Sequence, residues 1–208
     1  MFAILASRNK DKIKEINAIL EKYDLPAISR DDAGLPQDEV EETGTTFEEN
    51  SYIKAKAIRD VIVSGGYEEY IDSPVVADDS GLMVDALDGA PGVYSARYAG
   101  EDNNYSNNND KLLAEMKDVP ADQRTAHFVT VITVIYPDDH VISVRGECHG
   151  TIATEYLGEG GFGYDPVFIP DGYDGKSFSQ LGVEVKNKIS HRAHALAKLD
   201  AILAEENK

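Results

Sequence analysis

Two pairs of adjacent carboxylates carry the strongest chemical signal in this sequence. Asp78-Asp79-Ser80-Gly81 directly follows the apolar run Val75-Val76-Ala77, and Glu41-Glu42-Thr43-Gly44 lies in an earlier loop. Neighbouring carboxylates at the end of a strand repel each other unless a cation lies beside them. Mg²⁺ suits such a position, because it takes one or two protein carboxylates and completes its shell with water and phosphate oxygens. The acids therefore predict a magnesium site, and a solvated turn capped by aspartate is the alternative.

A polar and basic segment follows the first apolar run of the chain. Ser7-Arg8-Asn9-Lys10-Asp11-Lys12 comes directly before apolar residues at helical spacing. The N-terminus of a helix with nearby lysine, serine and asparagine side chains suits a phosphate group. We expect a phosphate cradle here, and an ordinary helix cap with exposed lysines is the alternative.

A glycine-rich loop and the start of the last helix form the third candidate region. In Gly160-Gly161-Phe162-Gly163-Tyr164-Asp165-Pro166, the flanking glycines give Phe162 the freedom to lay its ring against a flat ligand. Ser190 is placed to cap the last predicted helix, which leaves His191 and Arg192 in its first turn. Cations are unfavourable at that end of the helix dipole, so their presence indicates an anionic or acceptor-rich ligand.

Composition limits the compartment and the partners. The 208 residues include 20 Lys and Arg against 38 Asp and Glu, a formal net charge of −18, and a nucleic-acid partner is not expected because that role needs a basic face. The lone Cys148 excludes an intrachain disulfide and fits a reducing compartment. No run approaches the roughly 20 apolar residues of a membrane helix, and the N-terminus does not resemble a signal peptide. We expect a soluble cytoplasmic protein with no membrane partner.

Apolar patterning predicts the elements that position these residues. The predicted strands cover residues 2–6, 75–77, 82–87, 128–135, 141–145 and 167–169, and the predicted helices cover 13–20, 46–64, 103–116 and 190–203. Thr46 and Glu49 have the spacing of a capping box. Early strand–helix alternation and a late hairpin predict an α/β fold with a mixed sheet and helices packed on it. The length suits a single domain over residues 1–208.

Five segments, in order, resemble the inosine triphosphate pyrophosphatase family. They are Ala6-Ser-Arg-Asn-Lys-Asp-Lys12, Glu41-Glu-Thr-Gly-Thr-Thr-Phe-Glu-Glu-Asn50, Ala77-Asp-Asp-Ser-Gly-Leu82, Gly160-Gly-Phe-Gly-Tyr-Asp-Pro166 and Ile189-Ser-His-Arg192. The resemblance runs from residue 2 to about residue 205. Ser7 stands where the family usually has threonine, which keeps the hydroxyl group, and Ala193 stands where glycine is frequent.

The resemblance implies a fold and an activity. The fold is a central mixed, twisted sheet flanked by helices, in two lobes with the active-site cleft between them. The activity is Mg²⁺-dependent hydrolysis of dITP, ITP and XTP or dXTP to the nucleoside monophosphate and pyrophosphate, which cleanses the nucleotide pool. A homodimer is also implied.

The resemblance further implies roles for individual residues. Glu41 and Asp79 hold the metal, Asp79 is also catalytic, and Glu49 and Asp78 are candidate accessory acids. Lys54 and Lys186 are further cations for the triphosphate, and Arg192 reads the base. The implied substrate-binding residues are Ser7, Arg8, Asn9, Lys10, Asp11, Lys12, Ser80, Phe162, Gly163, Tyr164, Asp165, Lys186, His191 and Arg192.

Two other functions stay open at this point. One is a septum-inhibitor-type pyrophosphatase acting on dTTP or UTP, which would need a pocket for pyrimidines. The other is a catalytically idle nucleotide-binding regulator, which would not need the complete set of Glu41, Asp79 and Lys12.

Overall fold

A computed structural model describes residues 2–7, 10–36, 38–100 and 104–206, apart from the side chains of residues 10 and 11. Its strands are β1 (Ala3–Leu5), β2 (Ala27–Ser29), β3 (Val75–Val84), β4 (Thr125–Ile135), β5 (Val141–Ile152) and β6 (Phe168–Pro170). Within the described ranges these six strands form one sheet in the order β2-β1-β3-β4-β5-β6. Strands β2 and β3 are parallel to β1, whereas β6 is antiparallel to β5. The mixed sheet predicted from the sequence is confirmed.

The helices flank this sheet. They are α1 (Lys10–Leu20), α2 (Phe47–Ser64), α3 (Tyr105–Glu115), α4 (Phe178–Leu181), α5 (Val183–Ile189) and α6 (His191–Glu206). None of the helices in the described ranges is both long and apolar enough to cross a membrane.

The chain divides into two compact units. The first comprises Met1–Asp79, Val131–Arg145 and Ala195–Lys208, and the second comprises Ser80–Thr130 and Gly146–His194.

The first unit has an apolar core on each face of its strands. Leu5 of β1 packs in a cluster with residues of α1 and α6, such as Ile16 and Leu199. The preceding residue, Ile4, packs in a different cluster with Ile58 of α2. Successive side chains of a strand point to opposite faces, so one short strand serves both cores. Both clusters anchor the elements that carry the polar residues of this unit.

The second unit has a core rich in aromatic rings. Phe128, Phe168 and Phe178 pack together, with ring centroids 4.7 Å apart for the first two and 5.2 Å apart for the last two. Leu112 of α3 and Tyr164 belong to the same buried cluster. Tyr164 thereby ties the glycine-rich loop to the core.

Helix boundaries follow the predicted caps. Thr46 Oγ1 accepts a hydrogen bond from Glu49 N at 3.1 Å, and the Glu49 carboxylate accepts from Thr46 N at 3.2 Å, which completes the capping box of α2. Helix α6 begins at His191, and Ser190 Oγ accepts from Ala193 N at 3.2 Å. Both predicted helix starts are confirmed.

The predicted interruption of the sheet at Asp78 is wrong. Strand β3 continues without a break through Asp78 and Asp79. The two carboxylates are tolerated in a buried strand because each has a lysine partner from a helix of the first unit, Lys12 or Lys54. Strand β2 and the short helices α4 and α5 were not predicted, because segments of three to seven residues are too short to show a clear periodicity of apolar residues.

Candidate functional site

Two buried carboxylates of β3 are each paired with a lysine. Asp78 and Asp79 are 5% and 7% exposed. The distance from Lys12 Nζ to Asp78 Oδ2 is 2.7 Å, and that from Lys54 Nζ to Asp79 Oδ1 is 2.8 Å. Lys54 Nζ also lies 3.1 Å from Glu42 Oε1. We call these five residues the acid–lysine cluster.

Burial and charge act in opposite directions within this cluster. Burial raises the pKa of Asp79 above its ordinary value, although the Lys54 ammonium acts to lower it. Burial by itself would lower the pKa of Lys54, but the carboxylates of Asp79, Asp78 and Glu42 together raise it. Lys54 is therefore a firmly protonated cation that bridges two carboxylates.

One oxygen of Asp79 is available to a cation. Oδ2 is buried and has no hydrogen-bond partner among the residues that the structure describes. Mg²⁺ binds hard oxygen ligands and needs only one or two carboxylates. Asp79 therefore fits such an ion as a carboxylate ligand, with water and phosphate oxygens among the others. Across the described ranges, no three or more His, Cys, Asp or Glu side chains are grouped to hold a metal by themselves.

Glutamates near the start of α2 differ in their surroundings. Glu41 is exposed, whereas Glu42 contacts Lys54. Glu49 Oε2 accepts from Thr45 N at 2.6 Å, and this bond is the largest of several that lower the pKa of Glu49. Of the two candidate accessory acids, Glu49 takes part in the helix cap and Asp78 lies in the acid–lysine cluster.

The predicted phosphate cradle is described only in part. Arg8, Asn9 and the side chains of Lys10 and Asp11 lie outside the described residues. Ser7 is partly buried after β1, and α1 begins at Lys10 as the predicted cradle requires. Lys12, in the first turn of this helix, belongs to the acid–lysine cluster. Ser80, a predicted substrate contact, is partly buried in β3.

In the second unit, Asp165 organises the glycine-rich loop. Its Oδ2 accepts from Phe162 N at 3.1 Å and from Lys186 Nζ at 2.6 Å. Lys186 Nζ lies 4.1 Å from the centroid of the Phe162 ring, and that ring is 43% exposed. A Cβ atom at Gly161 would lie 2.5 Å from Asp165 Oδ2, so the loop needs glycine there. We call Phe162, Asp165 and Lys186 the aromatic–lysine group.

The aromatic–lysine group gives Lys186 an aromatic neighbour. The family resemblance implies that Lys186 is a cation for the triphosphate. Within the second unit, Lys186 contacts Asp165 and the exposed ring of Phe162. An exposed ring with an ammonium against it is suited to a flat, electron-rich ligand such as a nucleobase.

The remaining predicted residues of this unit are held by groups that the sequence did not indicate. The His191 ring stacks on Phe128, with centroids 4.8 Å apart and an angle of 13° between the planes. Gly163 O accepts from Asn109 Nδ2 at 2.9 Å. Tyr164 donates from its hydroxyl to Ser95 O at 2.9 Å, and burial raises its pKa. Arg192 is buried beside His191 at the start of α6.

Phe128 and Asn109 were missed for a simple reason. Phe128 reads as one more apolar residue of a strand, and Asn109 as part of a short run of asparagines. Their partners are distant in the chain, and a single sequence gives no signal for such pairs.

Comparisons with known proteins agree over almost the whole chain. A model of the Ham1 family matches residues 3–202. A dITP/XTP pyrophosphatase from Clostridium perfringens is 49% identical over 196 residues, which are 94% of each chain. One from Bacillus subtilis is 45% identical over 203 residues, which are 97% of this chain and 96% of that one.

Solved structures show the same fold. The Ham1 protein of Staphylococcus aureus superimposes with a TM-score of 0.87 at 39% identity, over 99% of this chain and all of the other. A nucleoside-triphosphatase, dITP/XTP pyrophosphatase, from Mycobacterium abscessus gives a TM-score of 0.78 at 39% identity, over 96% of this chain and 97% of that one. On both the sequence and the fold, the chain belongs to the Ham1 family.

Proposed function

We propose that this chain hydrolyses non-standard purine nucleoside triphosphates. The substrates are dITP, ITP and XTP or dXTP, and the products are the nucleoside monophosphate and pyrophosphate. Residues 1–208 act as one catalytic domain. The names of the relatives from Clostridium perfringens and Bacillus subtilis, both dITP/XTP pyrophosphatases, support this activity.

The acid–lysine cluster is the observation that carries the proposal. It combines a buried carboxylate oxygen with no partner among the described residues, on Asp79, and two lysines beside it. A triphosphate needs both kinds of group, because its charge must be offset by cations and its metal needs an oxygen ligand. A purely structural role in apolar packing would require neither the carboxylate oxygen nor the lysines.

Glu41 and Asp79 are the residues that would hold Mg²⁺. When bound, the ion neutralises triphosphate charge and polarises the α-phosphorus. Lys12 and Lys54 donate hydrogen bonds to phosphate oxygens, together with the segment from Ser7 to Lys12. Their ammonium groups are held in place by the carboxylates that they contact.

The reaction is a displacement by water at the α-phosphorus. Asp79 orients the water and accepts a proton from it. A bond forms from the water oxygen to the α-phosphorus, the bond from that phosphorus to the bridging oxygen breaks, and pyrophosphate leaves. Asp79 Oδ2 is buried and has no hydrogen-bond partner among the described residues, which supports Asp79 as the carboxylate that contacts this water.

Base selection follows from hydrogen-bond polarity. Hypoxanthine and xanthine have a carbonyl at position 6, whereas adenine has an amino group there. Arg192 only donates hydrogen bonds, so it can donate to the carbonyl oxygen but has no acceptor for the amino group. Each unpaired buried polar group costs about 1–3 kcal/mol, so two mismatches would give roughly 10²- to 10⁴-fold discrimination. Phe162 lies against the face of the base, with Lys186, Gly163, Tyr164, Asp165 and His191 as further contacts.

The partners and compartment follow the same proposal. The protein is a cytoplasmic homodimer with a nucleotide substrate and no nucleic-acid or membrane partner. Light scattering on the purified protein measures the dimer, which a monomer mass at working concentration would contradict.

One assay tests the function. The protein is incubated with ITP, XTP, dITP, ATP, UTP and dTTP, with and without Mg²⁺, and pyrophosphate is measured. We expect pyrophosphate from ITP, dITP and XTP only when Mg²⁺ is present, and little from ATP. Faster release from UTP or dTTP would favour the pyrimidine enzyme. Nucleotide binding without any release would favour the idle regulator.

A further inference from the structure

Asn50 is a buried side chain that the proposed chemistry has not used. It lies in the first turn of α2 and is 0% exposed. Its Oδ1 accepts a hydrogen bond from the backbone N of Gly44 at 2.8 Å. Its Nδ2 is buried and has no hydrogen-bond partner among the described residues.

Because Nδ2 of Asn50 has no partner among the described residues, packing alone does not explain why a polar asparagine occupies this buried position. Leaving a buried N–H donor without an acceptor costs free energy, which an apolar side chain of the same size would not incur. The position therefore requires the other half of the amide, the acceptor Oδ1. The group that uses this acceptor is the backbone of Gly44.

The backbone of Gly44 lies so close to Asn50 and Glu49 that there is no space for a side chain at this position. A Cβ atom on it would lie 2.6 Å from Asn50 Oδ1 and 2.6 Å from Glu49 Cβ. Real Cβ atoms do not approach other heavy atoms so closely, so only glycine allows the backbone to reach the amide. Gly44 and Asn50 thus form one fixed point at the end of the loop that precedes α2.

The other end of the loop is also fixed by a buried side chain. Arg30 is 5% exposed, and its Nη2 donates to Asp38 O at 2.8 Å and to Pro36 O. The loop over residues 38–44, which carries Glu41 and Glu42, is therefore tied at both ends. We call this segment the glutamate loop.

Asn50 also shares a helix face with the acid–lysine cluster. Asn50 and Lys54 are four residues apart on α2, so their side chains lie on the same face. Lys54 holds the side chain of Glu42 at 3.1 Å, and Asn50 holds the backbone two residues further on. One helix face thus fixes both the side chain and the backbone of the glutamate loop.

We propose that Asn50 is a positioning residue that fixes the glutamate loop through Gly44, so that Glu41 is presented to the divalent cation. This inference rests on the proposed function, since that function assigns the cation to Glu41 and Asp79. The requirement is for an acceptor at Oδ1, and the aspartate variant keeps one whereas leucine does not.

The experiment compares Asn50→Leu, Asn50→Asp and the control Ser51→Ala with the wild type. Ser51 is equally buried on α2, but its Oγ contacts Thr133 Oγ1 at 2.7 Å and Glu48 O at 3.1 Å rather than the glutamate loop. Hydrogen exchange of the Gly44 amide is followed by NMR in metal-free protein. Binding of Mn²⁺, used as the probe for Mg²⁺, is measured by the decrease in free-ion electron paramagnetic resonance signal.

We expect Asn50→Leu to speed Gly44 exchange about tenfold and to weaken Mn²⁺ binding about tenfold, the lower end of the usual loss when a group supporting a metal ligand is removed. Asn50→Asp should match the wild type in exchange and bind Mn²⁺ at least as well. Ser51→Ala should lower Tm and leave both measurements unchanged. Unchanged exchange or unchanged Mn²⁺ binding in Asn50→Leu would overturn the inference.

Two further outcomes keep the test decisive. If Asn50→Leu does not fold, Asn50→Asp decides alone, because fast Gly44 exchange in that variant would contradict the need for an acceptor. The activity of the wild type on ITP is measured separately. A wild type that releases no pyrophosphate would reject the proposed function. An active wild type, together with Asn50→Leu unchanged in Gly44 exchange and Mn²⁺ binding, would reject only this inference.

Discussion

The ammonium group of Lys54 lies 2.8 Å from Oδ1 of Asp79, which joins helix α2 to the buried part of β3 that lies in the first unit. Removing one partner of such a pair leaves the other without its counter-charge. Glu42 lies 3.1 Å from the same ammonium group, so Lys54 keeps a partner if Asp79 becomes neutral. Among the residues that the structure describes, Lys54 is the lysine that forms an ion pair with Asp79.

This asymmetry predicts that Asp79→Asn gives a folded protein that releases no pyrophosphate from ITP. The amide keeps the shape of the side chain and removes the charge that a cation and a proton require. Activity is measured by pyrophosphate release, and folding by the thermal unfolding curve. Asp88→Asn is the control, because Asp88 is exposed at φ 51, a conformation that asparagine tolerates. Near-normal turnover by Asp79→Asn would reject the catalytic role of Asp79.

The aromatic–lysine group predicts a binding defect in Lys186→Met. The change removes both the 2.6 Å contact with Asp165 and the cation against the Phe162 ring. We expect KM for ITP to rise about tenfold, with a smaller fall in kcat, because contacts with a nucleobase change little during phosphoryl chemistry. Steady-state kinetics on ITP measures both constants.

Lys188→Met is the matched control for that prediction. Lys188 lies on the same short helix as Lys186 but is exposed. It should leave KM unchanged. A kcat loss in Lys186→Met without any change in KM would place Lys186 with the triphosphate, as the family resemblance implies.

Local signals in the sequence predicted local structure well. The capping box of Thr46 and Glu49 and the cap by Ser190 depend on residues three apart, and the structure contains both. The Glu49 carboxylate accepts three hydrogen bonds from two nearby residues, Thr45 and Thr46, so its part in the cap could have been inferred from the same motif.

Long-range pairing was not accessible in this way. The strand was predicted to break at Asp78 because two buried acids are unfavourable alone, and the sequence does not show that Lys12 neutralises one of them. The bond from Asn109 to Gly163 joins residues 54 apart, and the stacking of His191 on Phe128 joins two different elements. Only the folded chain brings these groups together.

Arg192→Ala should lose the preference for ITP over ATP more than it loses stability. The guanidinium is a donor for the carbonyl of hypoxanthine, and its removal takes away a favourable contact with ITP and an unfavourable one with ATP. The ratio of kcat/KM for the two nucleotides should fall at least about tenfold. Equal loss of activity on both nucleotides would reject the role of Arg192 in reading the base.

The helix cap at Thr46 predicts a pure stability effect. Thr46→Ala removes the acceptor of the 3.1 Å bond from Glu49 N and should cost about 1 kcal/mol in the free energy of unfolding. Urea denaturation measures this value. Thr43→Ala makes the same chemical change at an exposed position outside the cap and should stay within about 0.5 kcal/mol of the wild type. Similar losses in the two variants would contradict the cap assignment.

The buried thiol of Cys148 predicts a pH dependence. Cys148 is 6% exposed, and burial raises its pKa from 9.0 to about 11, with a smaller contribution from Asp171. The folded protein therefore keeps the proton at pH values where the unfolded chain has lost it. The stabilisation is complete below pH 9 and is lost as pH rises through 11. At pH 10 the wild type should have lost about 1 kcal/mol that Cys148→Ala does not lose.

Urea denaturation of the wild type and Cys148→Ala at pH 8 and pH 10 isolates this effect, because the other titrating groups are common to both proteins. A thiol reagent gives an independent reading. The reactive form of cysteine is the thiolate, so the native thiol should react slowly at pH 8 and the unfolded thiol quickly. Equal pH sensitivity of the two proteins, together with rapid native labelling at pH 8, would mean that the thiol is not protected by the core of the second unit.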